Sequence, residues 1–130
     1  MTQAEARVLF TKLSAELIVW IFSHRGQGGE PDVWEVYWSE GYVKDTDAAD
    51  GDHDGPHMEG GAHYMGTGGD LNLRVNGEYI KDGNHPVWHL IGAKWKSMHP
   101  KARWGGDFKD RKGRPKMDSN HISIEFLGRA

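Results

Sequence analysis

Two histidines and two aspartates are the residues of this 130-residue chain whose types and spacing could do chemistry. The first pair lies in His63-Tyr-Met-Gly-Thr-Gly-Gly-Asp70 and the second in Asp118-Ser-Asn-His121. Two imidazoles and one carboxylate form a borderline-hard donor set that suits zinc, and three protein donors leave a fourth position for a water that can be activated for hydrolysis. His63, Asp70 and His121 are therefore candidate zinc ligands. Asp118 is the candidate general base.

The elements that must position these groups are legible in the hydrophobic pattern. Leu71, Leu73 and Val75 alternate with Asp70, Asn72 and Arg74, the period of a half-buried strand, so Asp70 belongs to its polar face. Ile122, Ile124 and Phe126 alternate in the same way with His121, Ser123 and Glu125. Neighbouring strands that share an apolar face would project Asp70 and His121 together from the other. His63 would arrive from the preceding Gly-rich segment. The same residues would also serve as ordinary polar groups on a solvated sheet face, and the pattern alone leaves both readings open.

The wording around the four residues resembles a known family. His63-x-x-Gly66-x-Gly68-x-Asp70, then Leu71-Asn72-Leu73, Arg103-Trp104-Gly105-Gly106-Asp107-Phe108 and Asp118-x-x-His121 are similar to the zinc D,D-peptidases, over about residues 60 to 126. That family groups vancomycin-resistance-type D-alanyl-D-alanine carboxypeptidases with bacteriophage L-alanyl-D-glutamate endolysins. The resemblance implies zinc on His63, Asp70 and His121, with Asp118 as catalytic acid/base, and an α+β architecture. It departs from the family at the arginine ahead of the first histidine. Here Ser39-Glu40-Gly41-Tyr42-Val43-Lys44 offers Lys44 as the substrate-contacting cation, without the planar fork of a guanidinium. Arg103 is a second candidate for steadying an oxyanion. Trp104 is expected to wall the substrate pocket or to plug the core, and Asp107 to hydrogen-bond a zinc-ligating histidine from behind.

The length bounds the answer to one domain, residues 1–130, without room for a separate wall-binding module. A net charge of -3 argues against a nucleic-acid partner, since neutralising many phosphates takes a basic excess. The basic run from Lys109 to Lys116 reads as a solvated loop punctuated by Pro115. With no cysteine, disulfides and thiolate metal sites are excluded. No basic-then-apolar leader opens the sequence, and Leu17 to Phe22 is too short to span a bilayer, so stable membrane insertion is not expected. The expectation is a monomer made in a host cytoplasm that reaches the cell wall by holin-type release.

Elsewhere, Thr2-Gln3-Ala4-Glu5 has the form of a capping box, followed by Val8, Leu9, Leu13, Leu17, Trp20 and Ile21 as the stripe of a helix ending near Ser23. Val33 to Trp38 reads as a strand with aromatics on both faces, covered twice. Asp70 to Val75 and Glu78 to Ile80 flank Asn76-Gly77, a strong hairpin signal. Asn84 and Pro86 can begin a second helix with Val87, Leu90, Ile91, Trp95 and Met98 inward. Trp88 and Trp95 read as core, and His24, His85, His89 and His99 as surface or capping residues. A closing strand starts near His121. The order predicts an α+β domain, a small, mostly antiparallel sheet packed against two or three helices. Asp50, Asp52 and Asp54 copy the first half of a calcium loop, but Gly61 stands where a bidentate glutamate belongs and Glu59 comes two places early, so an acidic loop or a weak calcium site is expected.

The leading expectation is thus a zinc endopeptidase of endolysin type acting on the peptidoglycan stem peptide, at the L-alanyl-D-glutamate bond. The alternatives are a D-alanyl-D-alanine carboxypeptidase and a non-catalytic, metal-stabilised wall-binding module.

Overall fold

A capping box starts the first helix: the Glu5 amide donates to Thr2 Oγ1 and the Thr2 amide to Glu5 Oε1. The computed structural model describes residues 1–39 and 66–130, and within it this helix, α1, runs Gln3–Phe22. It buries Ala6, Phe10, Leu13, Ser14, Leu17 and Ile21, a clean three-and-four spacing. Val8 lies outside that line and is exposed, and Trp20 only packs at its margin. The helix ends at Ser23. His24 Nδ1 then lies within hydrogen-bonding distance of the last-turn carbonyls of Trp20 and Ile21, the capping role expected of it.

The strands are β1 (Trp34–Trp38), β2 (Gly68–Val75), β3 (Glu78–Tyr79), β4 (Ala102–Trp104) and β5 (His121–Ile124). A second helix, α2 (Pro86–Met98), lies between β3 and β4, with His85 as its N-cap accepting from the Val87 amide. The sheet order is β1-β2-β5-β4, every neighbour antiparallel, with β3 added to β2. Asn76 and Gly77 both take positive φ, 53° and 79°, the two-residue turn that joins β2 to β3 with matching twist.

One face of this sheet carries the core. Trp34 and Val36 of β1, Leu71, Leu73 and Val75 of β2, Ile122 and Ile124 of β5, and Ala102 and Trp104 of β4 share it, and α1 and α2 pack over it. Each aliphatic side chain removed fully from water there contributes about 1.5–3 kcal/mol. On α2 the inward residues are Val87, Trp88, Ile91, Gly92 and Trp95, while Leu90 is exposed. The Trp95 indole N–H reaches the carbonyls of Arg103 and Ser123, satisfying its one donor inside the core.

The expectation that β1 is covered on both faces fails among the described residues: Tyr37 is exposed and Glu35 makes an ion pair with Arg74 on the outer face. No helix of the described residues is long and apolar enough to cross a membrane.

Candidate metal centre

Asp70 and His121 are direct partners in the β2–β5 ladder. The ladder bond beside them runs from the Leu71 amide to the Asn120 carbonyl at 2.8 Å, so Asp70 and His121 form the non-hydrogen-bonded type of pair, in which side chains approach most closely. His121 Nδ1 lies 3.1 Å from Asp70 Oδ1. Both side chains leave the sheet on the face opposite the core, as strand parity requires.

Asp118 reaches the same place by a turn. Its carbonyl accepts from the His121 amide at 3.0 Å, and its own amide donates to the Gly105 carbonyl at 3.0 Å. Gly105 opens a one-turn 3-10 helix, Gly105–Asp107, and lies flush against this turn. A Cβ there would overlap the Asp118 carbonyl oxygen and stand 2.9 Å from His121 Cβ. The turn is pinned again at Ser119, whose carbonyl accepts from the Trp104 indole at 2.7 Å and whose hydroxyl donates to the Gly83 carbonyl at 2.6 Å. The Trp-Gly-Gly-Asp segment is therefore the seat of the Asp118–His121 turn.

Asp70, Asp118 and His121 form a group that could hold a metal ion: one donor atom from each lies within 4.8 Å of the others. Donors placed about 2.1 Å from a single tetrahedral zinc lie roughly 3.4 Å apart, so the separations suit an ion of that size without identifying it. Burial grades across the group. His121 is buried, Asp70 is intermediate and Asp118 is exposed. Phe108 covers the imidazole from one side, its ring centroid 5.4 Å away. An imidazole beside a carboxylate is a common metal-donor pair, and an exposed carboxylate at its edge can exchange protons with solvent.

The other expected site residues divide. His63 and Lys44, and Asp50, Asp52 and Asp54 of the calcium-like loop, lie outside the described residues. Trp104 does not wall the site: it pairs with Ile122 on the core face, is 4% exposed, and packs its ring over Gly92 of α2. Parity forces this, because a residue paired with Ile122 cannot share the face of His121. Among the described residues Asp107 backs no histidine either: its carboxylate is 2.8 Å from Lys96 Nζ at the surface. Arg103 is on the site face, opposite Ser123, and is engaged by Glu125 at 2.5 Å.

A cavity of about 260 Å³ adjoins Asp118, bounded by Asn72, Tyr79, Lys81, Met117 and Asn120. Sequence reasoning passed over these residues. Asn72 was within its reach, being two residues beyond Asp70 on the same strand face; Tyr79 and Lys81 arrive only because the hairpin turns back there.

No protein-family model matches the chain, and no characterised protein matches it in sequence.

Proposed function

We propose that this protein is a zinc-dependent peptidase of the bacterial cell wall that hydrolyses the peptidoglycan stem peptide, at the L-alanyl-D-glutamate bond. The observation that carries the reading is the exposed Asp118 carboxylate beside the Asp70–His121 pair. A purely structural ion needs ligands, and it has no need of a carboxylate at the solvent edge. The motif resemblance supplies the rest of the reading: His63 completes the ligand set with Asp70 and His121, and Lys44 contacts the substrate.

Bound there, zinc would polarise the scissile carbonyl and make the attacking water far more acidic, so that it could lose a proton near neutral pH. The chain's own groups do the remainder. Asp70 and Gly105 fix the His121 ring, one by its carboxylate and the other by leaving no room for a displaced turn. Asp118 accepts the proton of the attacking water on a carboxylate oxygen and delivers it to the departing amine, serving first as base and then as acid. The backbone bond from its amide to Gly105 holds it in register with the ligands during both transfers.

A second reading follows from the membership of Asp118 in the three-donor group itself. If Asp118 ligates the ion permanently, the site is closed and the protein is a metal-stabilised wall-binding module. Digestion of purified peptidoglycan by the zinc-loaded protein, followed by mass spectrometry of the soluble fragments, separates these outcomes. New N-terminal D-glutamate is the expected product. Free D-alanine alone would mark a carboxypeptidase, and binding without cleavage would mark the module.

A further inference from the structure

The cavity beside Asp118 contains one cation, Lys81. Lys81 is exposed and makes no ion pair among the described residues, in contrast to Lys96, Arg74, Arg103 and Arg114, each of which has a carboxylate partner. The wall around it combines amide and phenol groups, Asn72 from β2, Asn120 from the turn before β5 and Tyr79 from the hairpin, with apolar residues such as Ile80, Trp88 and Met117. One carboxylate, Asp118, also lines the cavity. A space of about 260 Å³ takes one amino-acid residue and little more.

These groups have a direction. Under the proposed mechanism Asp118 protonates the departing amine, so the residue that occupies the adjoining cavity is the one on the amine side of the scissile bond. Its amine lies toward Asp118. What it turns toward Lys81 must then be an anionic group close to that amine, and the nearest is a free α-carboxylate on the same Cα.

We propose that Lys81, flanked by Asn72 and Tyr79, is the specificity-determining residue of this site and selects a leaving residue whose α-carboxylate is free. This rests on the peptidase reading for its orientation. Two kinds of residue meet the requirement. One is a D-glutamyl residue linked onward through its side-chain carboxyl, and the other is a terminal D-alanine. Both present an amine and a free carboxylate on one carbon. Amidation of the D-glutamyl α-carboxylate removes the charge while changing the shape little. The protein therefore discriminates against amidated stem peptides.

The test uses the full chain and four peptides: L-alanyl-γ-D-glutamyl-L-lysine and its α-amide, and D-alanyl-D-alanine and its C-terminal amide. Affinities are measured by NMR titration with Asp118→Asn protein, so that binding is read without turnover. A charge-assisted contact predicts about tenfold or more tighter binding of the acid in the pair that fits, and the tighter pair identifies the source of the carboxylate. Lys81→Met should erase the acid-to-amide ratio and Lys81→Arg should retain it. Lys81 is exposed, so neither variant threatens the fold, and unchanged thermal melting checks this. Equal affinity for acid and amide, a ratio that survives Lys81→Met, or no binding of any of the four peptides would overturn the proposal. Cleavage is scored separately with the wild-type protein. Discrimination through Lys81 without cleavage would leave the carboxylate site standing and remove the peptidase reading.

Discussion

His121 Nδ1 and Asp70 Oδ1 lie 3.1 Å apart across the β2–β5 ladder, on side chains contributed by residues that face each other in register. A pair at that distance, with a third donor from Asp118 nearby, could serve as half of a chelate. Asp70→Ala and His121→Ala should each lose bound zinc, which elemental analysis should find at about one ion per chain in the wild type. Asp118→Ala should retain the metal and lose on the order of 100-fold or more in turnover, the usual size of an acid/base contribution. Loss of zinc from Asp118→Ala would move that residue from base to ligand and favour the binding-module reading.

Gly105 should be irreplaceable for a reason unrelated to backbone flexibility. An alanine Cβ would overlap the Asp118 carbonyl and crowd His121 Cβ, so the turn carrying both groups would have to lift. Gly105→Ala is expected to cost about 1–3 kcal/mol in denaturant unfolding and to weaken zinc binding in isothermal titration. Stability lost with metal affinity intact would show that the turn shifts as a unit.

Gly92 tests packing against helix propensity. Glycine to alanine inside a helix normally gains about 1 kcal/mol. Here the added methyl would overlap the Trp104 indole, which is held by its bond to Ser119. Gly92→Ala should therefore lose about 1–3 kcal/mol of unfolding free energy. A net gain would mean that the indole can slide.

The capping box gives α1 an acid-sensitive start. Hydrogen bonds from the Thr2 backbone and side chain hold the Glu5 carboxyl below its ordinary value. A depressed carboxylate stabilises the fold above the unfolded-state value, and that contribution is lost as pH falls through the folded one. Glu5→Gln keeps the capping geometry and removes the charge. The melting-temperature difference between wild type and Glu5→Gln should be larger at pH 7 than at pH 3, with the wild type the more stable at pH 7. A difference independent of pH would rule out the charge as its source.

Local signals in the sequence carried far. The helix start at Thr2, the Asn76-Gly77 hairpin, Pro86 at the head of α2 and the β5 boundary at His121 each depend on a few adjacent residues, and each is found where expected. Strand alternation placed Asp70 and His121 on one face. It could not reveal β4, whose three residues are too few to show a period, and without β4 the parity that sends Trp104 into the core was invisible. Val8 and Leu90 were misassigned inward because an apolar-rich helix admits two stripes at helical spacing, and only the packing partner selects between them. Asp107 looked like a partner for histidine from its place in the turn, but Lys96 on α2, eleven residues earlier, takes its charge.

The two halves of the candidate centre are 51 residues apart in the chain, and the strand that joins them, β5, is the last of the five to be synthesised while occupying the middle of the sheet. Until it inserts between β2 and β4, Asp70 has no imidazole opposite it. Closing so long a loop is entropically costly and slow compared with forming α1 or the hairpin. Under the proposed reading, the Asp70–His121 half of the chelate exists only once β5 has paired with β2, so uptake of an ion would report that pairing.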